Sequence, residues 1–481
     1  MTRAAATLCL LTAVLALAGC MVGPKYSKPA VPTAPADQGQ LPSEFKEASG
    51  WKQAQPDQGT LPQGWWQVFG NPELNDLEAQ VDVSNQTIQA AEAQFRQARA
   101  LVGLSRAGLY PTISANPGIA TNRNSSTVAT ATPGLGEYSS FVLPFDVSYE
   151  LDAWGRIRRS IAAARAEMQA TAADLATVRL SLHAELAIDY FELRSLDAQK
   201  QLLERTLVAY QKALDLNQNR FQGGLSSGSE VAQARTQLET ARAQSIDVDA
   251  ARAQFAHAIA ILAGRTPESL SLAVAPLAST PPVIPTGIPS QLLERRPDIA
   301  AAERRMAEAN ERIGIARAAF YPTLQITAAG GFQGGSIVDW FTWPSRFWAL
   351  GPSALQTLFD AGRRRAANEA ATAGYDATVA DYRQSALNAF RDVEDTLATL
   401  RVLEQESAAQ RVAVEAAQHS LELSMNRYAG GLVTYLEVVT AQSTALANER
   451  VEVDLLRRRM DACVLLIKAL GGGWDVSKLP S

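Results

Sequence analysis

Between Arg156 and Gln222 the chain runs for 67 residues without a glycine or a proline. Between Arg363 and Ala429 it does so again, with Gly374 the only breaker. At about 1.5 Å per residue each run predicts a helix of about 100 Å, far beyond the helices of a globular domain. The surrounding landmarks repeat as well. "RAGLYPTISA" at 106–115 is answered by "RAAFYPTLQI" at 317–326, with Ile88 matching Ile299 and Glu92 matching Glu303 at the same offset of 211. "ELDAWGR" at 150–156 is answered by "LFDAGR" at 358–363, and "NRFQGGL" at 219–225 by "NRYAGGL" at 426–432, now at an offset of 207. The four residues are lost between the landmarks, where loops absorb length changes. The chain is an internal duplication.

The first long run carries a coiled-coil-like pattern. Leu175, Leu182, Leu196, Leu203 and Tyr210 step by sevens with Asp189 the exception; Leu186, Leu193, Leu207 and Leu214 form a companion row interrupted by Lys200. After each Tyr-Pro the period changes to two. Phe141, Leu143, Phe145, Val147, Tyr149 and Leu151 alternate with Asp146, Ser148, Glu150 and Asp152, and Leu324, Ile326 and Ala328 alternate with Thr323, Gln325 and Thr327. Segment 112–121 alternates more weakly, and 346–359 fits strand or loop. Strands of about ten residues with one apolar and one polar face suit a transmembrane β-barrel. Trp340, Phe341, Trp343, Phe347 and Trp348 fit either an interfacial aromatic belt or a buried hairpin core. Tyr-Pro marks the join of helix and strand, because proline lacks an N–H and disfavours helix in the residue before it. Four strands cannot close a barrel, and open edges are not tolerated in lipid. Two copies would give eight strands and a filled interior; three would give twelve and room for a lumen.

Other features bound the function. A net charge of −5 gives no basic field for nucleic acid. The three cysteines, Cys9, Cys20 and Cys463, make no disulfide framework or zinc spacing, and His183, His257 and His419 read as ordinary helix residues, so no metal or cofactor is expected. Arg3 and the apolar stretch Ala4–Ala18 read as a signal peptide over 1–19. Leu17-Ala18-Gly19-Cys20 looks like a lipobox, which makes Cys20 the acylated residue, palmitate-bearing, and Met21 after it resembles an outer-membrane address. The layout that follows is a proline-rich linker at 20–64, a first repeat at 65–264, a connection at 265–296, a second repeat at 297–470 and a tail at 471–481. Each repeat would hold a helix, a hairpin (about 110–152 and 321–360), a long helix (156–222 and 363–429) and a return helix (about 228–264 and 435–470).

"GPKYSKPAVP" after the lipobox, "WWQVFGNPELNDL" at 65–77, "LLERRPDIAAAE" at 292–303, "NRYAGGLVTYLEV" at 426–438 and "ALGGGW" at 469–474 together resemble the outer membrane factor family. These are TolC-like efflux channels, specifically the NodT-type lipoprotein branch that serves resistance–nodulation–division (RND) pumps. The resemblance spans the mature chain. It implies a mainly α homotrimer with a twelve-stranded outer-membrane barrel, a periplasmic helical barrel and an equatorial domain to which 265–296 and the chain ends contribute. It also implies a periplasmic adaptor and an inner-membrane pump as partners.

Candidate sites follow. The turns Gly223-Gly224-Leu225-Ser226 and Gly430-Gly431-Leu432-Val433 end the long helices and are expected to dock the adaptor. Ser227-x-x-Glu230 and Thr434-x-x-Glu437 have the form of capping boxes for the return helices. By resemblance, Leu436, Glu437 and Thr440 line the channel constriction, although the family often has an acidic residue where Thr440 stands. A ring of leucines closes a pore by dewetting, and a ring of carboxylates favours cations. Gly224-Leu225-Ser226-Ser227-Gly228 matches G-x-S-x-G, but an esterase elbow needs a strand-to-helix turn and a positioned histidine. With no P-loop or H-E-x-x-H either, the chain reads as no enzyme. The alternatives are the outer-membrane part of a type I secretion system, which shares the architecture, and a structural coiled-coil lipoprotein or adaptor. An adaptor would carry one helical hairpin where this chain has two.

Overall fold

The computed structural model describes residues 21–31, 45–46, 64–123, 125, 137–277, 280–284 and 292–481. The signal peptide, Cys20 and most of the linker lie outside the described residues. After a 3-10 turn at Trp65–Phe69 come α1 (Pro72–Ser84), α2 (Gln86–Ala107), β1 (Thr112–Ala115), β2 (Gly118–Arg123) and β3 (Glu137–Leu151). Then follow α3 (Arg156–Gln222), α4 (Gly228–Leu262), the single turn α5 (Leu292–Arg295) and α6 (Pro297–Ala318). The second repeat continues with β4 (Thr323–Gly334), β5 (Arg346–Leu355), α7 (Arg363–Ala429) and α8 (Tyr435–Ala469). The two long helices begin and end where the sequence predicts. Helix dominates, and the duplication is plain in the order of elements.

The chain packs as two compact units. One holds the described residues up to Pro29 together with Phe95–Thr171 and Ala302–Tyr382. Its centre is one antiparallel sheet in the order β1-β3-β4-β5, with β2 continuing β1 along β3. The two hairpins are therefore joined edge to edge through β3 and β4. β1 and β2 keep one register, Ala115 opposite Phe145 and Gly118 opposite Val142. The interruption falls where Pro117 and Pro144 each lack an N–H for the ladder. Opposite Pro144 stands Gly331, where a Cβ would lie 2.0 Å from the Leu143 carbonyl oxygen. Segment 346–359, ambiguous in sequence, is strand as far as Leu355 and pairs with β4 from Thr323 to Phe332.

Residues directly opposite in antiparallel strands share a face. Reading the register across the sheet, one face is apolar over the span from Phe141 to Leu151 and its partners, and turns polar beyond it with Thr121, Arg123, Glu137, Ser139 and Arg346. It carries Ile113, Ala115 and Ile119; Phe141 to Leu151 at odd positions; Leu324, Ile326, Ala328, Gly330 and Phe332; and Trp348, Leu350, Pro352 and Ala354. The other face is mixed, with Thr112, Ser114, Asp146, Ser148, Glu150, Gln325, Thr327 and Ser353 beside Val142, Ala329, Phe347, Ala349 and Leu355. The apolar face is not packed as a core: Trp348 is 83% exposed and Ile113 68%. At the β4–β5 turn Trp340 stacks on Phe341 (4.9 Å between ring centres), while Phe341 and Trp343 stay exposed. The aromatics are not a buried hairpin core.

The echoed Asp-Ala segments are helix caps. Asp152 accepts from the Ile157 and Arg158 N–H groups at 2.8 and 2.9 Å, and Asp360 accepts from those of Gly362 and Arg364. Carboxylates at helix N-termini satisfy free N–H groups and complement the dipole. Trp154, the extra residue in the first copy, stacks on Tyr321 (4.8 Å) and donates to the Pro322 carbonyl at 2.8 Å.

The other unit comprises the described residues within Ala30–Gln94, Ala172–Ala301 and Arg383–Ser481. The predicted heptad rows form its core. Leu186, Leu193 and Leu203 are fully buried, and Leu196, Tyr210 and Leu214 nearly so; Leu175, Leu182 and Leu207 pack at the margins. The two exceptions have partners or neighbours of like kind. Lys200 reaches Asp249 at 2.7 Å and the Ser245 carbonyl, while burial beside Glu185 and Glu192 pushes Asp189 up to about 6. Buried Arg194 pairs with Glu73 and with Asp197 (2.8 Å). Asp197 in turn accepts from Arg252 and from the Ala275 N–H, which fastens the connection after α4 to α3.

Candidate functional site: the helical tips

Both long helices end in the same device. Gly224 (φ +73°) and Gly431 (φ +76°) adopt the left-handed conformation that glycine holds without strain. Leu225 N–H donates to the Arg220 carbonyl and Gly224 N–H to that of Phe221; Leu432 and Gly431 repeat this with Arg427 and Tyr428. These are paired Schellman turns, and the second glycine of each pair carries the left-handed turn, not both. Leu225 and Leu432, the residues after them, are 73% and 75% exposed.

Ser227 and Thr434 occupy the N-cap positions with extended backbone, as predicted, but neither side chain caps its helix. The Ser227 hydroxyl bonds that of Ser229 at 2.7 Å, and the capping boxes do not form. Glu230 and Glu437 are thereby released for other partners. The Gly224–Gly228 stretch joins two helices, and Ser226 donates to the Asn217 carbonyl, so the G-x-S-x-G match has no nucleophile-elbow context.

At the start of α8 the buried side is Tyr435, Val438, Ala441 and Gln442. Leu436, Glu437 and Thr440 occupy the opposite, exposed side, with Leu436 58% exposed and Thr440 bonded to the Leu436 carbonyl. The structure therefore brings these three predicted residues onto one face. Glu437 pairs with Arg427 at 3.7 Å, an exposed contact of the kind that adds little stability.

The sequence did not disclose what holds the tips together. The Tyr428 hydroxyl faces Asn217 Oδ1 at 2.5 Å and Glu230 Oε2 at 3.1 Å. Arg220 lies 4.8 Å above the Tyr428 ring and donates to its carbonyl, and Tyr435 packs against the same ring at 5.3 Å. One tyrosine of the second repeat is thus gripped by three residues of the first. Burial pushes the Tyr428 hydroxyl up to about 12, assisted by Glu230, so it remains a donor. The available signal was the hydroxyl on Tyr428 where the first copy has Phe221, one of two differences between "NRYAGGL" and "NRFQGGL".

A second missed cluster lies in the same unit. His183 is not an ordinary helix residue. Its Nδ1 faces Glu78 at 2.6 Å, its Nε2 faces Asp82 at 3.4 Å, and Trp66 stacks on the ring at 4.4 Å. Burial alone would lower the imidazole, but the hydrogen bonds to Asp82 and Glu78 outweigh it and hold it up at about 9. Burial raises Glu78 to about 7 against the pull of His183. Glu78 and Asp82, spaced i and i+4 on α1, were the readable sign.

Two paired helical hairpins in a chain that also builds a sheet with a broad apolar band on one face are the make-up of an outer-membrane channel protein. The chain belongs to the outer membrane efflux protein family, whose model matches residues 79–265 and again 288–472. The two blocks coincide with the two halves of the duplication. The probable efflux pump outer membrane protein SepC of Pseudomonas putida is 34% identical over 96% of this chain and 95% of its own length. The pyoverdine export outer membrane protein OpmQ of Pseudomonas aeruginosa is 33% identical over 85% and 87%. The solved outer-membrane channel OprN superposes with a TM-score of 0.87 at 27% identity, covering 95% of this chain and all of that one. The protein is an outer-membrane efflux component. No helix among the described residues is long and apolar enough to cross a membrane.

Proposed function

We propose that three copies of this chain form the passive exit duct of a tripartite efflux pump. The single observation that carries this reading is the sheet: one face with a continuous apolar band across β1–β2, β3, β4 and β5, and both outer edges, β1–β2 and β5, without a partner strand among the described residues. Unpaired strand edges are untenable in hydrocarbon, so the edges must meet those of other copies. Three copies supply about twelve strands, enough for a lumen, where two would give a filled barrel. Acyl chains on Cys20 anchor each copy in the outer membrane, and the long helices reach into the periplasm.

The tips, Gly223–Ser226 and Gly430–Val433, dock a periplasmic adaptor that links the duct to an inner-membrane RND pump. Leu436, Glu437 and Thr440 ring the periplasmic constriction, and Tyr428 with its three partners holds the resting tip closed. The duct performs no chemistry of its own; the energy comes from the pump. Relatives named for toluene, solvent and pyoverdine export support cargo of small toxic or amphiphilic compounds. Native mass spectrometry in detergent tests the architecture. A stable trimer is expected; a stable monomer or dimer would overturn it.

A further inference from the structure

The residues that follow Cys20 lie in a groove of the first unit shaped for them. Val22 N–H donates to the Trp154 carbonyl at 3.2 Å, and Met21 packs on Gly155 so closely that a Cβ there would fall 2.8 Å from its Cγ. Gly23 (φ +117°) crosses Gly314 in the C-terminal part of α6, where a Cβ on Gly23 would lie 2.7 Å from the Gly314 Cα. A Cβ on Gly314 would in turn lie 2.2 Å from Arg159 Cδ. Glycine inside a helix costs about 1 kcal/mol against alanine, and here both crossing positions need it.

Polar groups buried beneath the strap serve it directly. Arg159 is 3% exposed, pairs with Glu311 at 2.8 Å and donates to the Pro24 carbonyl. Asn310, 4% exposed, donates to the same carbonyl at 3.4 Å. Tyr26 donates to the nearly buried Glu303, which Arg304 also holds. Lys28 then lies 5.9 Å over the Tyr382 ring. Arg159 belongs to the first repeat, and Glu303, Asn310 and Gly314 to the second.

We propose that Gly155, Arg159, Glu303, Asn310 and Gly314 form a receptor for the chain's own N-terminal strap, and that its role is to fix the depth of the Cys20 lipid relative to the strand ends. The depth role rests on the lipidation reading above. Consecutive Cα atoms stand about 3.8 Å apart, so Cys20 is tied to Met21, and Met21 to the turn between β3 and α3. A free linker would let the anchor wander by about 5–6 Å times the square root of its length. Docking removes that freedom, so anchor and barrel address the same leaflet. The load on the anchor is shared by both repeats.

The test uses the full-length lipidated protein. Trypsin can cut after Lys25, whereas the bond after Lys28 is protected by Pro29. In the wild type, cleavage at Lys25 should be at least about tenfold slower than in Tyr26→Ala or Gly314→Leu, read by mass spectrometry of the released fragment. Tyr26→Ala keeps the test valid if the helix variant fails to fold. In nanodiscs, a bimane on Lys25→Cys, combined with Tyr26→Ala, should be quenched by brominated lipids over a broader range of depths than without it. Equal cleavage in wild type and Tyr26→Ala overturns the receptor. A released strap with unchanged quenching overturns the depth role. A protected strap on protein that takes up no palmitate at Cys20 overturns the lipid reading and with it the depth role, while the receptor stands.

Discussion

At the first tip Phe221 stands 52% exposed, while at the second its counterpart Tyr428 is 2% exposed. Glu230 accepts from Tyr428 across the duplication, whereas Glu437, its counterpart, faces Arg427 of its own repeat. The backbones are the same down to the hydrogen bonds of their turns. The difference starts from two side chains: a hydroxyl on Tyr428 that Phe221 lacks, and an acceptor at Asn217 where the second copy has Ser424. The first tip has become the seat, and the second has turned its remaining polar and apolar groups outward. A duplication preserves a frame while letting each copy take a separate task.

The largest effect should be blind to this asymmetry and so sets its scale. His183→Ala leaves Glu78 and Asp82 without their shared partner and should cost about 3–5 kcal/mol, seen as a lower melting temperature. The pH dependence has a definite sign. His183 and Glu78 are both raised, so the fold binds more protons than the unfolded chain. Stability from His183 is complete below its ordinary value of about 6.5 and is lost as pH rises through about 9. Melting at pH 7 and pH 9.5 should show this fall in the wild type and a flatter profile in His183→Gln.

Next in size, Tyr428→Phe removes the hydroxyl that sets the second tip apart from Phe221 in the first. It leaves buried Asn217 without its donor, at a cost of about 1–3 kcal/mol, and should raise resting conductance in planar bilayers. The reciprocal Phe221→Tyr should be silent, and equal effects would remove the distinction between seat and gate. A smaller rise in resting conductance is expected for Leu436→Ala, with no change for Ser229→Ala at the matching position of the first tip. Smallest is Glu437→Gln, which should weaken cation selectivity with trimer stability intact. An unchanged reversal potential would return Glu437 to a purely structural role.

The parts of the fold legible in the sequence were those governed by backbone grammar. Gly155 and Gly223 bracket α3 and Gly362 and Gly430 bracket α7, so both helices could be bounded to the residue. Alternation gave β3 and β4 because one face had to be apolar on every second residue. The rest depended on partners distant in the chain. Thr434 and Glu437 have capping-box spacing, yet spacing cannot say whether a side chain prefers its own helix or solvent. Tyr428 meets Asn217 across 211 positions and His183 meets Glu78 across 105, and no local period marks either. Strand β5 contains Gly351 and Pro352, which hide its alternation until β4 supplies the register.

The equal count of the two long helices restricts how such a chain can change. Each holds 67 residues, although few of their side chains agree. One inserted residue would raise its tip by about 1.5 Å and turn everything beyond it by about 100°. Tyr428 would then miss Asn217 unless the other helix grew in step. Substitutions can accumulate one at a time along these helices, but length can change only by matched events in both copies. The hairpins differ by a few residues where the helices differ by none, so length has drifted in the hairpins while the helices kept time with each other.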